Sequence, residues 1–393
     1  MADVMNYIDR LVAELCPDGV EYRPLGEIAD IGTGKSDKKD AQESGQYPFY
    51  VRSKTILRSS KYLYDETAIV IPGEGGVGEI FHFVSGKYDL HQRAYRISFT
   101  VDEMNPKFGY YYISSFFKEY INRHAVEATV KSIRKPMLVK FEVPVPPLEI
   151  QEAIVEILDK FTNLEAELEA ELEARTLQYE YYRDSLFEAL DCPRVPLGSF
   201  AQLVRGSGMP KTDFSESGVG AIHYGQIYTK FGTATAEVIT HVPEEKAKKL
   251  AVVNPGDVIV ANTSENLEDV CKAVAWVGDS DIVTGGHATV IKAPEQNAKF
   301  ISYYMATGRF NKDKRRHAFG TKVIDVAPKN LAKIEFPVPP LEEQQRIVDI
   351  LDRFDSLTTS LSEGLPAELA ARRSQYEYYR DQLLTFPRKG DNQ

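Results

Sequence analysis

Lys35 and Ser36 end the stretch Ala29-Asp30-Ile31-Gly32-Thr33-Gly34-Lys35-Ser36, which fits the permissive spacing of a phosphate-binding loop. Such a loop cradles phosphates with backbone N–H groups, and it needs a buried strand before it and a helix after it. Glu27-Ile28-Ala29-Asp30-Ile31 is a poor buried strand and Lys38-Lys39-Asp40 is no helix core, so a nucleotide-binding enzyme using Lys35 is a minor reading. Pro17-Asp18 followed by Asp37-Lys38-Lys39 fits a loose nuclease pattern, but these are common residues and nothing later in the chain repeats them. The seven histidines (82, 91, 124, 223, 241, 287 and 317) lack His-Glu-x-x-His spacing. There is no Gly-x-Ser-x-Gly, and the Asn-Pro-Pro-Phe/Tyr that would mark amino methylation is absent. Cys16, Cys192 and Cys271 lie too far apart in sequence for a metal knuckle or a disulfide framework, which fits a reducing compartment. The chain is expected to be non-catalytic, with no metal and no cofactor of its own.

Polar and basic side chains instead recur at matching places in two halves. Lys35, Ser36, Lys38 and Lys39 follow Gly26, as Arg205, Ser207 and Lys211 follow Gly198. Next come Arg52, Lys54, Arg58 and Lys61 in the first half, and His223, Tyr224, Gln226 and Lys230 in the second. Gln92 and Arg93 after His91 answer to His287 after Gly285-Gly286, and Asn262 opens a polar turn. Lys131, Arg134 and Lys135 answer to Lys314, Arg315, Arg316 and Lys322. Lys, Arg, Ser and Gly-rich backbone reach phosphates, while Arg, Lys, Gln and Asn make paired hydrogen bonds to base edges. Any one of these residues alone is most simply a solvated loop side chain. The recurrence, with positions kept and residues changed, is what reading two different sequences requires. Lys314, Arg315 and Arg316 are expected to touch phosphate, so that replacing them lowers the salt dependence of binding.

The elements that must position these residues are duplicated too. Val145-Pro146-Pro147-Leu148-Glu149 returns as Val338-Pro339-Pro340-Leu341-Glu342, and Ile154–Asp159 returns as Ile347–Asp352. Gln178-Tyr179-Glu180-Tyr181-Tyr182-Arg183-Asp184 recurs identically from Gln375 to Asp381. Ile154, Ile157, Phe161, Leu164, Leu168, Leu172, Tyr179, Tyr182 and Leu186 follow a step near three and a half, as do Ile347 to Leu383, which predicts two coiled-coil helices. The first runs through three Leu-initiated tetrapeptides from Leu164 to Arg175, the second through four from Leu357 to Arg372. Gly364-Leu365-Pro366 predicts a kink or break in the second. Thr67–Ile71 and Asp257–Ala261 read as equivalent strands, and Phe108–Phe117 and Phe300–Phe310 as packed helices. The expected fold class is α+β: two similar α/β domains separated by two long helices that form an antiparallel coiled coil, with pseudo-twofold symmetry. The expected boundaries are residues 1–146, a helical spacer 147–190, residues 191–339, a second spacer 340–386 and a tail 387–393.

The net charge of −11 speaks against a polyanion partner only until it is located. Residues 144–194 alone hold 4 basic and 13 acidic residues, so the two blocks are close to neutral and keep local basic clusters. No apolar run is long enough to span a bilayer, and the N-terminus has no signal character, so a cytoplasmic location is expected.

Block–helix–block–helix order, Pro-Pro-Leu-Glu-x-Gln twice, the Leu-x-x-x tetrapeptides and Gln-Tyr-Glu-Tyr-Tyr-Arg-Asp twice resemble the specificity subunits of Type I restriction-modification systems, across essentially the whole chain. The resemblance implies that each block is a target-recognition domain for one half of a split DNA sequence. It implies that the helices act as a ruler and bind two adenine-N6 DNA methyltransferase subunits, with Tyr179, Tyr182, Arg183, Tyr376, Tyr379 and Arg380 as helix and partner surface. S-adenosylmethionine would then sit on the methyltransferase, and ATP and Mg on a restriction subunit. The alternative is a coiled-coil adaptor for other proteins without sequence-specific DNA binding.

Overall fold

Ala68-Ile69-Val70-Ile71 is an unbroken apolar run with no exposed member, the pattern of a strand covered on both faces. The computed structural model describes residues 2–123, 132–358 and 364–390, and the chain divides into two units, residues 1–166 with 371–393 and residues 167–370. Unit one begins with α1 (Ala2–Leu15) and β1 (Tyr22–Pro24). Strands β2 (Ala29–Thr33), β3 (Tyr47–Tyr50), β4 (Leu57–Ser59), β5 (Tyr64–Pro72), β6 (His82–Leu90) and β7 (Ala94–Phe99) form one sheet in the order β2-β7-β5-β6-β3-β4. Its pairs are antiparallel except β3 with β6. Helix α2 (Pro106–Arg123) buries Phe108, Tyr111, Tyr112 and Phe117 in the core beneath, and β8 (Glu142–Pro144) returns to pair with β1.

The first spacer is a single helix, α3 (Leu148–Glu188), of 41 residues, about 60 Å at ~1.5 Å per residue. Block two then opens with β9 (Arg194–Pro196), β10 (Gln202–Arg205), β11 (Val219–Ile222), β12 (Ala234–Thr235), β13 (Thr240–Val242) and β14 (Ala251–Val253). It continues with β15 (Val258–Ala261), β16 (Thr263–Ser264), β17 (Ala273–Trp276), β18 (Ile282–Thr284) and β19 (Ala288–Lys292). The order β10-β19-β15-β17-β12 repeats the β2-β7-β5-β6 of unit one, with β15 in the central place of β5. A second sheet, β13-β11-β18-β14, repeats the β4-β3-β6 edge of unit one, with β11 parallel to β18 as β3 is to β6, and adds β14. The aromatic stretch expected to be one helix is two, α4 (Ala298–Met305) and α5 (Gly308–Lys314). Thr307 stops the first by bonding back to the Tyr304 carbonyl, and its hydroxyl caps the second by accepting from Phe310 N–H at 3.2 Å. Then β20 (Ile324–Asp325) pairs with β16, β21 (Glu335–Pro337) pairs with β9 as β8 does with β1, and α6 (Leu341–Thr358) follows.

The second spacer is described as two helices, α6 and α7 (Gly364–Leu383). Gly364 opens α7 at φ +77°, and Pro366 falls in its first turn, where the missing N–H costs no intrahelical bond. Residues 359–363 lie outside the described residues, and Leu361 of the expected seam lies among them.

The sequence repeat becomes a repeat of fastenings. Gln151 and Gln344 are fully buried at the starts of α3 and α6. Gln151 accepts from Asn105 N–H at 2.8 Å and donates to the Glu103 and Pro146 carbonyls. Gln344 accepts from Asn297 N–H at 2.9 Å and donates to Gln296 and the Pro339 carbonyl. Two turns on, Asp159 takes Lys107 and the Tyr111 hydroxyl, at 2.7 and 2.6 Å, as Asp352 takes Lys299 and the Tyr303 hydroxyl, at 2.8 and 2.7 Å. The carboxylate pairs are about a third exposed and add little, so the fully buried Gln151 and Gln344 carry the join of each helix start to its own block.

Within unit one, Phe161 of α3 stacks on Tyr379 of α7, and Arg373 pairs with Glu165 at 2.6 Å. One register rises as the other falls, so the pairing is antiparallel. Within unit two the same stack is made by Tyr182 of α3 on Phe354 of α6, with rings 25° apart against 27° in unit one. The compact units therefore cut across both spacers.

Candidate nucleic-acid interface

The strand ends decide where the recurrent polar residues go. In unit one the β2 end runs against the turn after β6 so closely that a Cβ at Gly34 would fall 1.8 Å from the Leu90 carbonyl oxygen. Only glycine fits. In unit two a Cβ at Gly206 would fall 1.9 Å from the Gly285 oxygen. The same close approach thus builds both loop clusters, with Gln92 N–H on the Ser36 carbonyl in one and Gly286 N–H on the Gly208 carbonyl in the other.

Around the first approach gather loops 34–40, 51–54, 72–76, 91–93 and 132–135. Gly73 N–H donates to the Arg93 carbonyl and Ile133 N–H to the Gly73 carbonyl, both at 2.8 Å. Arg52 and Arg93 both pair with Glu74, the latter at 2.6 Å, and Gln92 donates to Asp37 at 3.1 Å. Lys35, Lys38, Lys39, Lys54, Lys61, Arg134 and Lys135 are exposed, and none makes an ion pair among the described residues. Lys131 lies outside the described residues. Arg58 turns away from this set and donates to the Gly45 and Gln46 carbonyls.

Around the second approach gather loops 205–211, 223–226, 262–264 and 285–287. Tyr224 lies between His223 and His287, with ring centres 4.4 and 5.0 Å away. His287 stands at φ +66° and its Nδ1 meets the Thr263 hydroxyl at 3.1 Å. Lys211, Lys230 and Lys322 are exposed, Ser207 bonds to the Lys249 carbonyl, and Arg205 pairs with Asp325 at 3.4 Å. Gln226 is spent internally on His223 N–H and the Thr240 hydroxyl.

Several expected contact residues are core residues. Lys314 is 2% exposed, and its ammonium donates to the Glu268 and Val270 carbonyls at 2.7 Å. Burial pushes its pKa below the ordinary lysine value. Ser36 is equally buried and donates to Asp89, which also takes Ser59. Asn262 is fully buried, donating to the Val326 carbonyl and accepting from Thr289. His223 is buried and caps a helical turn. These four are spent inside the blocks, each holding a loop in place. Arg315 and Arg316 remain exposed, each with a surface ion pair, to Glu268 and Asp313.

Two of the expected spacer surface residues, Tyr179 and Arg183, are core residues instead. Tyr179 and Arg183 are buried within unit two, the guanidinium over the ring at 5.5 Å; Arg380 lies over Tyr376 likewise at 5.6 Å. Tyr376 and Tyr379 face Phe161, and Tyr182 faces Phe354. The most exposed rings of the repeat are Tyr181, 70% exposed, and Tyr378, 60% exposed, which an assignment by sequence motif passed over; Tyr182 keeps 43% exposure beside Phe354. Glu74 was passed over as well, although the glycines around it marked its turn. The phosphate-loop match forms no such loop: β2 is followed by a single 3₁₀ turn at Lys38–Asp40. No cluster of His, Cys, Asp or Glu that could hold a metal occurs among the described residues. None of the described helices is long and apolar enough to cross a membrane.

Both clusters contain a turn held by a histidine ring. His91 Nδ1 accepts from Arg93 N–H at 3.0 Å, and His223 Nδ1 accepts from Gly225 N–H at 3.1 Å. Burial first, then Arg52 beside His91 and Lys211 beside His223, lowers both pKa values below 6.5. The neutral rings are the folded form, so their contribution is complete above pH 6.5 and is lost as pH falls through the lowered values. Acidification from about pH 7.5 to about pH 5.5 is expected to loosen both loops. Hydrogen exchange of the Arg93 and Gly225 amides across that range checks it; protection that stays constant contradicts it.

The Type I restriction modification DNA specificity domain matches this chain twice, over residues 17–174 and 193–371. The chain belongs to the Type I restriction-modification specificity subunits. An Escherichia coli Type I restriction enzyme specificity subunit is 29% identical, over 98% of this chain and 98% of its own length. A Type I specificity subunit of Haemophilus influenzae is 27% identical, over 93% and 96%. Among solved structures, the S subunit of M. genitalium superposes with a TM-score of 0.55 at 16% identity, covering 93% of this chain and 95% of that one. A chain from a structure of complex assembly and conformational transition in the type I R-M system gives 0.59 at 16%, covering 95% and 98%. The fold of this specificity subunit is thus that of its family, α+β with a recognition block on either side of a long helix.

Proposed function

We propose that this specificity subunit reads a split DNA target, one half with the loops around Gly34 and the other with the loops around Gly206, and leaves the stretch between them unread. The observation that carries the proposal is the duplicated loop cluster: the same glycine approach, on the same four-strand order, presents Arg52, Arg93 and Gln92 in one block and Tyr224, His287 and Lys211 in the other. Lys35, Lys38, Lys39, Lys54, Lys61, Arg134, Lys135, Lys230 and Lys322 supply the phosphate contacts, and with Lys131 they offset the acidity of the spacer. The chain itself carries out no chemistry. It serves two adenine-N6 DNA methyltransferase subunits, which bring S-adenosylmethionine, and a restriction subunit that uses ATP and Mg. Tyr181 and Tyr378 are the spacer surface offered to them. The complex works in the cytoplasm.

The test is a binding selection from random DNA, using the full chain with its methyltransferase partner. Two conserved half-sequences separated by a fixed unspecified gap are expected. Binding that shows no preference among sequences would favour the adaptor reading and end this one.

A further inference from the structure

Glu74 is an acid placed among cations at the surface that meets DNA, where a carboxylate is repelled by phosphate. Both Arg52 and Arg93 donate an Nη1 hydrogen to the same oxygen, Oε1, of Glu74. The turn that carries it is held on two sides, by Gly73 N–H on the Arg93 carbonyl and by Ile133 N–H on the Gly73 carbonyl. A Cβ at Gly73 would fall 2.8 Å from the Arg93 oxygen, so the turn cannot drift from the loop bearing Arg93. Each guanidinium spends one of its five N–H donors on Glu74 and keeps the rest, and both stay substantially exposed, 42% and 59% at the side chain. The trio has a net charge of only +1. It is badly matched to a row of phosphates and well matched to neutral acceptors in pairs, which guanine presents as O6 and N7 in the major groove.

Block two has no such trio at the matching turn among the described residues; its acid with two arginines, Asp313 with Arg309 and Arg316, lies on the helix Gly308–Lys314 instead. The turn after β15 carries Asn262, Thr263 and Ser264, and its ring partner is His287. Resting on the DNA reading above, we infer that Glu74 is a positioning residue that presents Arg52 and Arg93 together as a guanine reader for the block-one half of the target only. Its carboxylate also stays ionised, since the Arg93 hydrogen bond holds its pKa below the usual range.

The experiment is the same selection from random DNA, run with the wild-type chain, E74Q and R93K, each in complex with the methyltransferase, and repeated at several salt concentrations. The wild type is expected to require at least one G·C pair in one half-sequence. E74Q keeps the shape but loses the double ion pair, and R93K keeps the charge but loses the fork. In both, the preference for that G·C pair is expected to fall roughly ten-fold or more, with the other half-sequence unchanged and the salt slope unchanged in R93K and no shallower in E74Q, whose trio gains one positive charge. The retained half is the internal proof that the variant is folded and bound. The inference is overturned if both variants keep the wild-type preference, or if they weaken all sequences alike with a shallower salt slope. It is also overturned if the block-one half contains no G·C pair. A wild-type chain without any sequence preference would instead remove the DNA reading, and this inference with it.

Discussion

Deleting Leu168–Glu171 is expected to change the unread gap in the target by about two base pairs while both half-sequences stay the same. Removing four residues shortens a helix by ~6 Å and turns it by roughly 40°, and duplex DNA rises ~3.4 Å per base pair. The deleted tetrapeptide is one of three Leu-initiated steps, so its loss brings the next leucine into the vacated place and leaves the seam with leucine at its usual interval. None of its side chains is buried, and it lies just beyond residue 166, where α3 passes from one compact unit to the other. The fastenings that hold each block to its helix, Gln151, Asp159, Phe161, Tyr179 and Tyr182, are all outside the cut. The two reading loops are thus untouched, and only the length of α3 changes. Sequencing methylated sites from cells carrying the deletion measures the gap directly. An unaltered gap would show that α3 does not set the spacing; altered half-sequences would show that the spacer also shapes the readers.

How far this could be read from the chain depends on the range of the interaction. The repeated Val-Pro-Pro-Leu-Glu and Gln-Tyr-Glu-Tyr-Tyr-Arg-Asp segments announce two helices because the period of a helix is local. The equivalence of Thr67–Ile71 with Asp257–Ala261 was legible for the same reason, and both became the central strands of matching sheets. What pairs with α3 was not legible. Its first half meets α7 and its second half α6, a choice written in Phe161 with Tyr379 and Phe354 with Tyr182, far apart in the chain. The same holds for polar residues. Ser36 looks like an exposed loop serine until β6 brings Asp89, 53 residues on, to its hydroxyl. Asn262 looks like a base reader until Val326, 64 residues on, takes its amide. Strand order decides whether a loop side chain faces water or core, and strand order was the part that local patterns leave open. The exposed Tyr181 beside the stacked Tyr182 shows the other side of this: a motif marks a segment, and only packing tells which ring is offered outward.

Lys314 gives the sharpest measurable difference between those two kinds of residue. Lys314→Ala is expected to lower the stability of unit two by about 3 kcal/mol, from two carbonyls left without a donor and from the space vacated by the side chain. The partners are specific: the Glu268 and Val270 carbonyls receive the ammonium at 2.7 Å, in a region that holds the buried Cys271, whose thiol burial pushes up to about 12. Lys314→Met, which refills most of the space but supplies no donor, should recover part of the loss and so separate packing from hydrogen bonding. Arg316→Ala is the control. Its guanidinium is exposed and 3.7 Å from Asp313, a pair of the kind that contributes ~0–1 kcal/mol. Denaturant unfolding and the salt dependence of DNA binding, measured on all three variants, give opposite signatures. Lys314→Ala should shift the unfolding midpoint and leave the salt slope of the folded chain alone, and Arg316→Ala should leave the midpoint and make the slope shallower. A shallower slope in the lysine variant with unchanged stability would return Lys314 to the set of phosphate contacts.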